Sequence, residues 1–156
     1  MRILGIDPGY KNLGWSIIEK NQKIVDYGVI DTSSDKRIDE RLLDIHTKLD
    51  AIITLYKPDC AAIEKLFFTK NIKTGMDVAK TVGAILLTLR INNIGYFEYT
   101  PSQVKQVVTG YGRADKAQMK FMIKSIFQMS DELQSDDAAD ALAIALCHSL
   151  LQSRTK

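Results

Sequence analysis

Four carboxylates, Asp7, Glu64, Asp137 and Asp140, stand at the ends of apolar segments, and together they can hold a hard divalent cation. Asp7 ends the strand-like run Arg2-Ile3-Leu4-Gly5-Ile6, and Glu64 ends Asp59-Cys60-Ala61-Ala62-Ile63. Asp137 and Asp140 open a helix of small residues, Asp137-Ala138-Ala139-Asp140-Ala141-Leu142. A carboxylate at the end of a buried strand, with no basic neighbour, is costly to desolvate. Mg²⁺ offsets that cost, because its ligands are carboxylate oxygens, water and substrate phosphate. The set points to a metal-dependent nuclease. Taken singly, two of the acids have plainer readings. Asp137 could equally cap its helix, with Asp136 the better candidate for a cap or an outer acid. Glu64 could pair with Lys65 at the surface. Asp140 lies one turn further in, beyond capping reach.

Charge is divided along the chain. Residues 65–124 hold ten Lys or Arg against three acids, so the remainder carries a net negative charge although the whole chain is +2. A basic middle beside an acidic cluster suits a polyanion lying across a metal site, although a solvated helix face would read the same way. Lys70, Lys73, Arg113 and Lys120 read as phosphate contacts, each adding to a steep loss of affinity with salt. Lys105 and Lys116 could grip flanking phosphates or neutralise charge at the scissile one. Phe67 and Phe68 lie among lysines, where one ring could stack on an unpaired base while ammonium groups hold phosphates. Phe67 is the better candidate for DNA and Phe68 for the core, and the two could be exchanged.

The elements that must position these groups follow from periodicity. Residues 2–7, 13–19 and 23–30 read as strands joined by short turns, favouring an antiparallel meander. Ile38, Leu42, Ile45, Leu49, Ile52 and Ile53 then recur at helical spacing up to Lys57-Pro58. A strand at 59–64, a helix at 76–91 and a strand at 95–99 follow. Thr100-Pro101-Ser102-Gln103 is a capping box for a helix ending near Gly110. Two more helices, one marked by Met119, Met122, Ile123 and Ile126 and one over about 135–151, complete the order. The expected fold is a ribonuclease H-like α/β arrangement: a five-stranded mixed sheet, its first three strands antiparallel, with helices on both faces. Asp7 and Glu64 would then end neighbouring strands, and Asp137 and Asp140, at i and i+3, would share one helix face.

Several segments carry a family likeness. Gly5-Ile6-Asp7-Pro8-Gly9, Ala62-Ile63-Glu64-Lys65-Leu66-Phe67, Tyr99-Thr100-Pro101-Ser102-Gln103-Val104-Lys105, Gly112-Arg113-Ala114-Asp115-Lys116 and Asp137-Ala138-Ala139-Asp140-Ala141-Leu142-Ala143 resemble the RuvC family of Holliday-junction resolvases. The likeness runs in order from residue 3 to about 148. It implies that Asp7, Glu64, Asp137 and Asp140 are the metal ligands, that Phe67 is the junction-contacting aromatic, and that Lys105 and Lys116 lie near the scissile phosphate. It also implies a homodimer using Mg²⁺ or Mn²⁺, two ions per site, in recombination and repair. Its members nick opposed strands of a four-way junction symmetrically, leaving 5′-phosphate and 3′-hydroxyl ends. The chain stops soon after its last helix, where some cellular members continue. A branch-migration helicase as partner, and a phage or plasmid origin, both stay open.

Other classes fit less well. No apolar run approaches the ~20 residues that cross a bilayer, and the N-terminus lacks a signal-peptide pattern because Asp7 interrupts its first apolar stretch. A cytoplasmic location is expected, bacterial or in the host of a phage, with Cys60 and Cys147 as buried free thiols. Neither His46 nor His148 has metal-ligand spacing. Gly-Ile-Asp-x-Gly also opens actin-like ATPases, but that fold needs two such lobes and 156 residues supply one. One nuclease domain over residues 1–156 is expected, with a same-fold nuclease for flaps, forks or structured RNA as the nearer alternative.

Overall fold

A computed structural model describes residues 1–9, 11–32, 35–66, 72–133 and 135–153, without the side chains of residues 72–74. Three strands come first: β1 (Arg2–Pro8), β2 (Asn12–Glu19) and β3 (Ile24–Asp31). There follow α1 (Ile38–Tyr56), β4 (Cys60–Glu64), α2 (Ile72–Ile91), β5 (Gly95–Tyr99), α3 (Pro101–Thr109), α4 (Lys116–Ile126) and α5 (Asp136–Ser153). The five strands form one sheet in the order β3-β2-β1-β4-β5. β1 pairs antiparallel with β2 and β2 with β3, whereas β4 runs parallel to both β1 and β5. This is the ribonuclease H-like topology expected from the order of elements.

Alternation along the strands divides the apolar side chains between two cores. Leu4, Ile6, Ile17, Ala61 and Ile63 face one way, against Ile45, Leu49 and Ile53 of α1 and Ile85 and Leu89 of α2. Ile3, Ile18, Cys60 and Ala62 face the other way, against α3, α4 and α5 through Val104, Val108, Met119, Ile123, Leu142 and Leu146. α5 lies between the sheet and the outer helices and is buried from Ala138 to Ser149. Its alternating small residues let it sit close to the strands.

Buried polar groups tie the layers. His148 on α5 meets the Tyr99 hydroxyl through Nδ1 at 2.6 Å and the Cys60 thiol through Nε2 at 3.4 Å. Burial lowers the pKa of His148, which favours the neutral ring. His46 Nδ1 lies 2.8 Å from Thr88 Oγ1, bridging α1 to α2. Both cysteines are free and buried. The second helix begins at Ile72, earlier than the apolar stripe from 76 suggests. Gly75 lies inside it, a weak helix former that the rest of the stripe carries.

Candidate metal centre and nucleic-acid face

Strand parity brings the acids together. On β1, Ile3, Gly5 and Asp7 are alternate residues, and Ile3 belongs to the α5 side of the sheet. On β4 the same count runs from Cys60 and Ala62 to Glu64. The two strands are parallel, with Ile3 beside Cys60 and Ile6 beside Ile63. Asp7 and Glu64 are therefore the next residues of adjacent strands and point to the same face, the one that α5 covers.

Two glycines let α5 bring its own acids to that face. A Cβ on Gly5 would lie 2.2 Å from the Ala141 carbonyl oxygen, and one on Gly14 would lie 2.0 Å from that of Asp137. Only glycine admits a helix backbone so close to a strand. Ser16, between them on the same face of β2, donates from its hydroxyl to the Ala141 carbonyl at 2.9 Å. The start of α5 is thus held against β1 and β2 beside Asp7. Ser135 caps this helix, its hydroxyl accepting from the Ala138 N–H at 3.1 Å. The capping role open to Asp136 or Asp137 falls to Ser135, and both aspartates are left for other partners.

The charges interact strongly. Burial, then Glu64, Asp140 and Asp137, push the Asp7 carboxyl up to about 8. Burial and Asp140 also raise Glu64, while Lys105 opposes the shift. Asp140 is raised chiefly by burial, with Lys116 acting against it. Among the described residues none of the four acids forms an ion pair. Carboxylates gathered without a direct ion pair are the kind of donor set that suits a hard divalent cation. Among the described residues no three of them stand close enough to grip one ion as placed. The residues fit such an ion in type, charge and direction.

Two helices bring lysines to the rim. Lys105 lies on α3, whose start is fixed by the reciprocal Thr100–Gln103 capping box. Lys116 opens α4, directly after the Asp115 cap. Lys116 and Lys120 share Asp136 as counterion, at 3.2 and 2.5 Å, and this pairing raises the Lys116 pKa. Asp136 is therefore a partner of the lysines. Arg113 is exposed in the turn between α3 and α4. Phe67, Phe68, Lys70 and the Lys73 side chain lie outside the described residues. The positioning roles of Gly5, Gly14 and Ser16 were not singled out from sequence; two glycines inside strand patterns were the available signal.

Comparisons with known proteins identify the family. Residues 3–148 match the family described as crossover junction endodeoxyribonuclease RuvC. A protein of that name from Caldicellulosiruptor saccharolyticus is 51% identical over 98% of this chain and 95% of its own length. The one from Petrotoga mobilis is 48% identical over 95% and 93%. The solved Thermus thermophilus RuvC in complex with a Holliday junction substrate superposes with a TM-score of 0.92 at 29% identity, covering 99% of this chain and 96% of that one. A yeast mitochondrial Holliday junction resolvase, 17% identical with a TM-score of 0.64, shares the fold. The chain belongs to the RuvC family of crossover junction endodeoxyribonucleases.

Proposed function

We propose that this chain is a divalent-metal-dependent endonuclease that resolves four-way DNA junctions by paired nicks, acting in homologous recombination and repair. The observation that carries the reading is the shared face of Asp7, Glu64, Asp137 and Asp140, where three of the acids raise the fourth. Asp7, Glu64, Asp137 and Asp140 would hold the metal, with Mg²⁺ the natural ion and Mn²⁺ able to replace it. Two such ions, when bound, activate a water and stabilise the departing oxygen of a phosphodiester. Lys105 and Lys116 orient the scissile phosphate and offset its charge. The Asp136 carboxylate holds Lys116 and Lys120 at the rim until a phosphate takes its place. Cleavage leaves a 5′-phosphate and a 3′-hydroxyl.

The remaining parts of the reading concern partners. A junction has two-fold symmetry and two strands to cut, which a two-fold dimer matches. α2 supports this with an outward face where Met76, Leu87 and Ile91 are exposed and a Cβ on Gly83 would meet nothing. Residues 1–156 would act as one nuclease domain, working in the bacterial cytoplasm where such DNA arises. Phe67 remains the candidate for opening the junction, with Phe68, Lys70, Lys73, Arg113 and Lys120 around the DNA. A branch-migration motor is a compatible partner that none of these residues requires.

A panel of four-way junction, fork, flap, duplex and structured RNA, each with Mg²⁺, tests the proposal. Symmetric nicking of the junction, lost in Asp7→Asn, is the expected result. Equal or faster cutting of flaps or RNA would replace it with another same-fold nuclease. Cutting by Asp7→Asn at the wild-type rate would remove the metal assignment.

A further inference from the structure

An apolar groove of about 420 Å³ runs between α3 and α4, lined by Thr109, Tyr111, Ala117, Gln118, Phe121 and Met122. Its size falls within the range of small-ligand sites. Two of its aromatic rings are turned to solvent: Tyr111 is 56% exposed and Phe121 is 70% exposed. Neither ring is needed to close a core, and exposed aromatics gathered around one groove mark a binding surface.

The loop that carries Tyr111 is fixed on both sides. Its N–H donates to the Thr109 hydroxyl at 3.0 Å, and that hydroxyl lies 3.1 Å from the Tyr111 carbonyl. Gln106 clamps the neighbours, donating to the Gly110 carbonyl at 2.8 Å and accepting from the Gly112 N–H at 3.0 Å. Gly110 makes the turn possible at φ +78°. A ring held out on a rigid loop loses little freedom when something stacks on it.

Position and charge identify the occupant. Two of the four α4 residues lining the groove come directly after a cation in the chain, Ala117 after Lys116 and Phe121 after Lys120. Arg113 lies two residues beyond Tyr111 and is exposed. Lys116 acts electrostatically on Asp7 and Asp140, so the start of α4, next to Ala117 of the groove, lies near the carboxylate face. The lining itself carries no charge. Flat apolar rings beside ammonium and guanidinium groups are the chemistry that takes a nucleic-acid base on the ring and its phosphate on the cation. We propose that the α3–α4 groove is a stacking site for unpaired nucleobases of the strand that leads away from the cleavage centre, with Tyr111 and Phe121 as the platforms. The proposal rests on the junction-cutting reading and adds a second place, apart from the segment around Phe67, where opened bases are held.

The test measures affinity without metal for a four-way junction carrying unpaired bases at its crossover, for single-stranded oligothymidine and for a duplex of equal length. Tyr111→Ala and Phe121→Ala should weaken junction and single-strand binding roughly 5- to 100-fold, with duplex binding within twofold. The slope of affinity against salt should not change, because no phosphate contact is lost, and Phe121→Trp should restore binding. Thermal unfolding of the variants should match the wild type. Wild-type affinity in both alanine variants would overturn the proposal and give the groove to a protein partner. An equal loss on duplex, or a flatter salt slope, would overturn it in favour of backbone contact. Junction cleavage by the wild type with Mg²⁺ is followed in parallel. If that fails, the nuclease reading falls, while the single-strand measurement still decides the groove.

Discussion

Replacing Asp7 by Asn should stabilise the protein in the absence of metal while abolishing its cleavage of DNA. The fold raises this carboxyl from the usual 3.8 to about 8, by burial first and then by Glu64, Asp140 and Asp137. A raised pKa makes the folded state the tighter holder of the proton. Below pH 4 the group is protonated in both states, and nothing is lost. Between pH 4 and 8 the unfolded chain releases its proton while the folded chain keeps it, so stability falls as pH rises. Above pH 8 the loss is complete. At 1.36 kcal/mol per pKa unit the ceiling is about 6 kcal/mol. Asp7 is half-buried rather than sealed, so water and side-chain movement should reduce this to about 1–3 kcal/mol. For a chain of this length that is roughly 3–10 °C in Tm. The assay is thermal unfolding with chelator at pH 5, 7 and 9. The Asn variant should gain little at pH 5 and most at pH 9, and Mg²⁺ should raise the wild type more than the variant. If Asp7→Asn at pH 9 were no more stable than wild type, the acids would not be crowded, and the case for a shared cation site would fail with them.

Three further outcomes follow from other contacts. Gly5→Ala places a methyl 2.2 Å from the Ala141 carbonyl oxygen, which no rotamer relieves, so α5 must move. Stability should drop by about 3 kcal/mol or more, and cleavage should fall further than the folded fraction, as unfolding and activity curves together would show. Asp136→Asn releases Lys116 and Lys120 from their shared acid. This exposed pairing contributes little to stability, so Tm should hardly move while junction affinity rises a few-fold at low salt and the gain disappears at high salt; unchanged affinity in titrations at both salts would refute it. Leu87→Asp places a charge on the exposed face of α2. With the dimer proposed through this face, it should shift sedimentation towards the monomer and replace paired nicks with uncoordinated single ones, and unchanged sedimentation would refute that face.

Much of this arrangement is legible in the chain because it depends on local periodicity. The apolar runs at 2–7 and 59–64 already place Asp7 and Glu64 at strand ends, and the Thr100–Gln103 box appears in the structure with both of its hydrogen bonds. The carboxylates of α5 are recognisable by their i, i+3 spacing. What sequence does not show is contact between distant segments. Ser16 and Ala141 are 125 residues apart, and nothing local says that a serine on one will satisfy a carbonyl on the other. Asp136 looked like a cap because it opens a helix, yet Ser135 takes that role by lying one residue earlier. The lysines that claim Asp136 arrive only when α4 docks beside α5. α2 starts one turn before its apolar stripe because Gly75 interrupts the pattern without breaking the helix.

The centre therefore depends on register more than on the acids themselves. Because side chains alternate every second residue, a slip of one position between β1 and β4 would send one carboxylate to the α1 side and leave the other facing α5. Two features oppose that slip. Leu4, Ile6, Ala61 and Ile63 are almost completely buried in one core while Ile3 and Ala62 are buried in the other, so a shift would place residues chosen for one packing environment in the opposite one. Gly5 and Gly14 add a second constraint, since the helix backbone lies where a Cβ at either position would be. Any other register would set a side chain under the Ala141 or Asp137 carbonyl and lift α5, with Asp137 and Asp140, away from the strands. The apolar core thus fixes which way Asp7 and Glu64 point, and the glycines fix how near the helix acids come. The repulsion among the four is a cost that the packing imposes and that a cation is suited to relieve.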